Sequence, residues 1–494
     1  MIELTLAEVA AAVGGRLHRA TGDERVTGTV EFDTRKLAPG SLFVALPGER
    51  VDGHDFAAEA MRAGAAGVLA GRPVDAPAVI APPATDAPGG VYVLAGDRDG
   101  SGAAVLAGLG RLARAVVDRL TAGPGRAGLS VVGVTGSSGK TSTKDLIAAL
   151  LRPLGPTVAP PGSFNNELGH PWTVLRADRD TRHLVLELSA RGPGHIAALC
   201  RVAPPRIGAV LNVGSAHLGE FGTRQAIAAA KGELVEALPA SGVAVLNAGD
   251  ELVSAMAART EARVVTFGRH ADVRAEDVAL DACGRASFRL VAPIGTAPVR
   301  LAVHGEHQVG NALAAAAVAL ELGARVEQVA AGLATATPVS RWRMEVAESP
   351  GGVTVINDAY NANPESVRAA LRTLMAMAAG TRRSWAVLGP IGELGEGSEQ
   401  AHHELGRLAV RLGVARLVVV GADARAMHEG ARDQGSHGEE SVFVPDVEAA
   451  VALLRGQLRA DDVVLVKASR AYGLERIAAA LLAGERAAVG GEGR

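Results

Sequence analysis

The residues best equipped for chemistry form one run, Val131-Val132-Gly133-Val134-Thr135-Gly136-Ser137-Ser138-Gly139-Lys140-Thr141-Ser142. Its apolar start, small-residue turn and helix-forming continuation through Leu151 read as strand, glycine-rich turn and helix N-terminus. In that arrangement the N–H groups of the turn can face a phosphate chain. The helix start adds partial positive charge and Lys140 a full one, and the Thr141 hydroxyl can reach a phosphate-bound Mg²⁺. Val134 stands where the six-position P-loop pattern has its first glycine, so this is the shorter Thr-Gly-x-x-Gly-Lys-Thr form. An ordinary strand-to-helix turn rarely needs Gly136, Gly139, Lys140 and Thr141 in this register, so a bound nucleoside triphosphate is expected.

Further candidates lie downstream. The loop Gly162-Ser163-Phe164-Asn165-Asn166-Glu167-Leu168-Gly169-His170-Pro171 carries polar groups that suit either a ligand or a plain turn. Leu184 to Leu188 places the Glu187 carboxylate at the end of an apolar strand. Strand C-termini face the ligand crevice of open α/β sheets, and nucleotide-bound Mg²⁺ takes one or two carboxylates. His217 falls in the loop after the next strand, at the same sheet edge, where it reads as a metal or polar ligand or as a structural histidine. Lysine occurs only at 36, 140, 144, 231 and 467, against many arginines. A lysine kept in such a chain is a candidate for chemistry that guanidinium cannot do. Lys36 and Lys144 read as chance survivors. Lys231, in Ile227-Ala228-Ala229-Ala230-Lys231-Gly232-Glu233, is either a solvated helix lysine or an amine that takes up CO₂ as a carbamate ligand for a second Mg²⁺.

The elements that must position these groups suggest an α/β protein of three domains, in keeping with 494 residues. Residues 1–98 mix short strands with helices at Leu6–Val13 and Phe56–Ala63, and Arg72 to Gly90 reads as an exposed Pro/Ala-rich loop. Residues 99–337 open with a helix from Ala103 to Leu120, cross a Gly/Pro-rich connector at 122–128 and enter the P-loop strand. Strands at 184–188, 209–213, 242–247 and 263–267 then alternate with helices, the pattern of a parallel sheet. An antiparallel meander is expected between 273 and 303, followed by a helix at 311–322. Residues 338–494 alternate strands at 353–356, 384–388, 416–420 and 462–466 with helices, a doubly wound Rossmann-like reading. The tail 483–494 is Gly-rich and expected to be disordered.

Net charge is −3, which gives no reason for a nucleic-acid or anionic-membrane partner. The acidic N-terminus is unlike a signal peptide, and no apolar run reaches the length of a membrane span. Only Cys200 and Cys283 occur, so a disulfide framework is not expected and a reducing cytoplasmic setting is. The expected partners are small-molecule substrates, and the expected state is a monomer.

Taken in order, Thr-Gly-Ser-Ser-Gly-Lys-Thr, Asn-Asn-x-x-Gly, Leu-Glu-Leu, Ala-His-Leu and Ala-Lys-Gly-Glu resemble the Mur ligase family of ATP-dependent amide-forming enzymes. So do Asp33-Thr34-Arg35, Asp52-Gly53-His54-Asp55-Phe56 and Ile356-Asn357-Asp358-Ala359-Tyr360-Asn361-Ala362-Asn363-Pro364. These look like the branch that adds D-alanyl-D-alanine to UDP-N-acetylmuramoyl-tripeptide. The resemblance implies a uridine-nucleotide domain, a central P-loop ATPase domain and a C-terminal closing domain. It implies that ATP lies on Gly136, Ser137, Ser138, Gly139, Lys140, Thr141 and Ser142, with Asn166 close by. Thr141 and Glu187 would hold one Mg²⁺, and His217 and carbamylated Lys231 the second, so that Lys140, Glu187, His217 and Lys231 form the catalytic set. His307 and Asn311 would lie near adenine, and Arg343 and Asp358 would reach over from the third domain. Tyr360, Asn361 and Asn363 would shape the dipeptide site, and Thr34 and Arg35 would help hold the uridine nucleotide.

The sequence departs from the branch's pattern at Ser189, Gln308, Asn357, Pro390-Ile391-Gly392 and Ala468, none of which removes a group assigned to phosphates or metals. Two alternatives stay open: a sister ligase adding a single amino acid, and a P-loop ATPase or switch without ligase activity. The sister enzyme usually carries an Asp-Asn-Pro-Arg motif, which this chain lacks.

Overall fold

The computed structural model describes residues 1–84, 94–122, 128–216, 218–435 and 440–483. The tail from 484 onward, expected to be disordered, and most of the 122–128 connector lie outside them. Each of three α/β units carries its own sheet, and no helix among the described residues is long and apolar enough to cross a membrane.

In the first unit the strands run in the order Arg16–His18, Ala78–Ile80, Gly67–Ala70, Leu42–Val44, Val30–Glu31. All neighbours pair parallel except the first two. The strand Ala78–Ile80 runs through the stretch expected to be an exposed loop. Its three residues are fully buried, so apolar side chains override the surrounding prolines. The helix Leu6–Val13 forms where expected, with a Thr5–Glu8 capping box at one end and left-handed Gly14 at the other.

The long helix Ser101–Thr121 joins the first unit to the second. It packs on Leu6–Val13 and Gly67–Ala70 on one side and on helices Gly169–Val174 and His195–Val202 on the other. Leu106, Leu109 and Leu112 are fully buried along it. Each contributes about 1.5–3 kcal/mol of apolar burial.

The central sheet is six-stranded and wholly parallel, in the order Arg263–Phe267, Val243–Asn247, Ile207–Val210, Ser130–Thr135, His183–Glu187, Thr157–Val158. The chain leaves the P-loop strand on one side, returns beside it, then crosses to the other. The P-loop therefore stands at the topological switch point, where such sheets open their crevice. Register pairs Glu187 with Val134 and Val210 with Thr135, so three strand ends come level at one edge. The antiparallel meander forms at Arg274–Leu280, Arg285–Ala292 and Gly295–His304. The following helix starts at His307, a full turn earlier than expected, and its buried alanines from 312 to 319 let it lie close against the P-loop helix.

The third sheet runs Glu345–Glu348, Thr354–Asn357, Val463–Lys467, Ser384–Leu388, Arg416–Val420, Ser441–Val444, parallel except for its first pair. That first antiparallel strand was not read from the sequence. Its faces are half-exposed, so it lacks the apolar signal of its neighbours.

Candidate active site

A cavity of about 750 Å³ lies between the second and third units. Its floor is the P-loop turn and the start of the helix Lys140–Leu151. Gly139 precedes that helix at φ +82°, a conformation open to glycine, and a Cβ there would lie 2.4 Å from the Asn311 Oδ1. The turn itself is used differently from the expectation. Ser137 N–H donates to the Asn212 carbonyl at 3.0 Å, and Ser138 N–H to the Asn212 side-chain oxygen at 2.9 Å. Asn212 donates back to the Ser138 carbonyl at 3.1 Å. The backbone donors left for an anion at the helix start are those of Lys140, Thr141 and Ser142, which have no intrahelical partners. Asn212 lies two residues past the strand Ile207–Val210, and nothing in its local sequence points to the P-loop.

Lys140 donates to the Gly136 carbonyl at 2.8 Å. Desolvation and then the nearby Arg343 push its pKa down, while the Glu187 charge opposes them. Glu187 is 1% exposed and surrounded by donors. Thr141 Oγ1 lies 2.9 Å from one carboxylate oxygen; Ser163 Oγ at 3.0 Å and Asn165 Nδ2 at 2.7 Å meet the other. Ser189 holds Asn165 through two 3.0 Å contacts, so a hydroxyl that departs from the branch's pattern orients the amide beside the carboxylate. Asn165, not Asn166, lines the cavity; Asn166 accepts from Gly169 N–H at 2.9 Å and starts a helix.

Lys231 is buried at 5% exposure within the helix Arg224–Glu236. Burial first, and the Lys140 charge second, lower its amine to about 7. Two residues on, Glu233 caps the helix His195–Val202 by accepting from Gly194 and Ala197 N–H groups at 2.6 and 3.0 Å. His217 lies outside the described residues.

The opposite wall comes from the third unit. Arg343 donates to Thr141 Oγ1 at 3.2 Å and its guanidinium lies 4.2 Å over the Tyr360 ring. Asp358 pairs with Lys467 at 2.6 Å and accepts from Met344 N–H at 3.1 Å. Lys467 also donates to the Asn361 carbonyl at 2.9 Å. This buried lysine lines the cavity and was not assigned a role from the sequence, although the scarcity of lysine marked it. Tyr360, Asn361 and Asn363 line the same wall. Asn363 is spent on structure as well: it caps the helix Pro364–Ala378 through Ser366 N–H at 2.8 Å and donates to the P-loop carbonyl of Ser137 at 3.4 Å. His307 and Asn311 complete the lining, with Asn311 donating to Gln308 at 2.8 Å. The loop Pro390-Ile391-Gly392 is tied to His402 and Ser469 through its backbone.

Thr34 and Arg35 do not line this cavity. They form a short 3₁₀ turn in the first unit, where Arg35 pairs with Asp33 at 2.9 Å. That turn follows the strand whose Val30 carbonyl accepts from Trp172 Nε1 at 2.9 Å, one of the contacts between the first unit and the second.

The comparisons agree with one another. Residues 28–93 match the Mur ligase family catalytic-domain model, 134–319 the Mur ligase middle domain, and 342–470 the Mur ligase glutamate ligase domain. The UDP-N-acetylmuramoyl-tripeptide–D-alanyl-D-alanine ligase of Mycobacterium bovis is 58% identical, over 98% of each chain. The Escherichia coli enzyme of the same name is 34% identical over 97% of this chain and 99% of its own. Among solved structures, MurF from Acinetobacter baumannii superposes with a TM-score of 0.82 at 31% identity, covering 97% of this chain and 99% of that one. MurF from Thermotoga maritima, in complex with ADP, gives 0.73 at 29% identity, covering 93% and 98%.

Proposed function

The chain belongs to the Mur ligase family, and from that premise we propose that it joins D-alanyl-D-alanine to UDP-N-acetylmuramoyl-tripeptide with ATP as the energy source. The observation that carries this reading is the shared cavity. A phosphate cradle from the second unit and an Arg343–Asp358–Lys467 cluster from the third form its two walls.

A carboxylate does not condense with an amine in water. In this reading a carboxylate oxygen of the tripeptide attacks the γ-phosphorus, the bond to the β-phosphate oxygen breaks, and ADP forms. The free amine of the dipeptide then attacks the acyl carbon of the mixed anhydride. A proton leaves the nitrogen, inorganic phosphate departs, and the amide remains. Lys140 and the first-turn N–H groups offset the crowding of negative charge as carboxylate meets triphosphate. Arg343 adds a second cation from the far wall, and packing of the two units against each other limits water at the hydrolysable anhydride.

The donor set around Glu187 suits Mg²⁺, since Thr141, Ser163 and the carboxylate offer hard oxygen atoms and nothing soft. Thr141 and Glu187 would hold one ion, and His217 with a carbamylated Lys231 a second. Such ions supply charge neutralisation at the phosphate oxygens. The lowered amine of Lys231 favours that modification: its neutral nitrogen bonds to the carbon of CO₂ and loses one proton, giving a carbamate anion. In the same cavity His307 and Asn311 would meet adenine, while Tyr360, Asn361 and Asn363 would shape the acceptor site. Residues 1–98, with Thr34 and Arg35, would hold the uridine nucleotide, 99–337 the ATP, and 338–494 would close over both. A reducing, cytoplasmic setting suits the two free cysteines, Cys200 and Cys283.

The testing experiment is phosphate release with each substrate omitted in turn. The expected result is release only when ATP, the UDP-linked tripeptide and the dipeptide are all present. Release with ATP alone at the full rate would replace this reading with that of a nucleotide switch.

A further inference from the structure

We propose that Lys144 is a positioning residue, which clamps the strap Ser340–Met344 to the P-loop helix and so holds Arg343 over the phosphate cradle. The proposal rests on the ligase reading only for its activity assay.

Lys144 sits three residues after Thr141 on the helix that begins at the cradle. It reads in sequence as a chance survivor, yet its side chain is fully buried. Its amine donates to the Asp145 carboxylate, to the Pro160 carbonyl at 2.7 Å and to the Ser340 hydroxyl at 3.3 Å. An ammonium has three N–H donors, so these acceptors match its capacity. Asp145 in turn accepts from Ser340 N–H at 3.1 Å. Ser340, itself 3% exposed, is therefore held through both backbone and side chain by neighbouring residues of the P-loop helix.

Three residues further on, Arg343 returns to the same helix at Thr141. Between and beyond these anchors the backbone is strained: Trp342 has φ +59° and Met344 φ +52°, left-handed values that bulky residues rarely adopt. Such a segment relaxes unless both ends are pinned. The far end is pinned by Tyr360 N–H to the Trp342 carbonyl at 3.2 Å and Met344 N–H to Asp358 at 3.1 Å. The near end is pinned by Lys144 and Asp145. A leucine would fill the core at this position without the desolvation cost of an ammonium, so packing alone does not account for the lysine.

The test compares the intact protein with Lys144→Met and, independently, Ser340→Ala. Three quantities are read: turnover, the dissociation constant for ADP, and hydrogen–deuterium exchange of the 339–345 segment. For Lys144→Met we expect turnover to fall about tenfold, exchange in the segment to rise at least tenfold, and ADP affinity to stay within twofold. Ser340→Ala, which leaves the helix core intact, should move turnover and exchange in the same directions by about threefold. It decides the question if Lys144→Met does not fold. Unchanged exchange in the segment, unchanged turnover, or a loss of ADP affinity parallel to the loss of turnover would overturn the proposal. Wild-type turnover in the same assay tests the ligase reading separately.

Discussion

Glu365 of the third unit accepts from Ser215 of the second twice, from its N–H at 3.1 Å and from its hydroxyl at 3.0 Å. The carboxylate lies so close to the loop that a Cβ on Gly214 would come within 3.0 Å of it. This contact, at the cavity wall, bridges the unit that carries the phosphate cradle and the unit that carries Arg343. Replacing Glu365 by Gln removes a charge-assisted acceptor worth about 1.5–3 kcal/mol. Turnover should fall roughly tenfold or more, because 1.4 kcal/mol is a factor of ten. ADP affinity, measured by calorimetry, should hold, since the nucleotide cradle is untouched.

Lys231→Arg keeps a cation but forfeits the amine that CO₂ needs. Activity should drop by roughly 10²–10³-fold, the scale of losing one electrostatic stabiliser. The bulkier, always-charged guanidinium should also lower the thermal midpoint in this buried position, while ADP binding by the folded variant should change little. Isotope-labelled CO₂ should leave a carbamate signal in wild-type protein and none in the variant. Normal turnover in Lys231→Arg would end the carbamate proposal.

Gly139→Ala places a methyl group 2.4 Å from Asn311 Oδ1, on a backbone at φ +82°. The left-handed backbone alone costs about 1–2 kcal/mol. Nucleotide binding should weaken by well over tenfold in titration calorimetry. The thermal midpoint of the nucleotide-free protein should fall as well, since both the contact and the backbone strain exist without ligand.

His170 is 1% exposed, and neither ring nitrogen has a partner in good geometry, although the Leu199 and Glu187 carbonyls lie close enough to oppose the shift. Burial lowers it from 6.5 to about 4. The unfolded chain therefore binds the proton more readily between those values. Its stabilising contribution is complete above pH 6.5 and declines as pH falls toward 4, by on the order of 3 kcal/mol. Urea midpoints measured at pH 7 and pH 4.5 should separate more in wild type than in His170→Gln. Equal separations would remove this histidine as a source of acid sensitivity.

Much of this architecture was legible because strand and helix periods are local. The strands Ser384–Leu388 and Arg416–Val420 form where their apolar runs lie. The P-loop was readable for the same reason: Gly139, Lys140 and Thr141 are neighbours in the chain. What the sequence hid was long-range. Nothing local in Lys144 announces an acceptor 196 residues away at Ser340. Nothing near Asn212 announces that it closes hydrogen bonds with Ser138, 74 residues earlier. The neighbour pair Asn165–Asn166 shows a further limit: two adjacent amides on one turn face different ways, and only the tertiary partner decides which one meets Glu187.

The near-absence of lysine from the surface has a practical outcome. Lys144, Lys231 and Lys467 are enclosed, Lys140 faces the cradle, and Lys36 alone stands open to solvent. Amine-reactive dyes or cross-linkers applied to the native protein would thus attach chiefly at Lys36, in the first unit's 3₁₀ turn. A probe meant for random decoration becomes nearly site-directed, and any label gained at 144, 231 or 467 would report that the units had parted or unfolded.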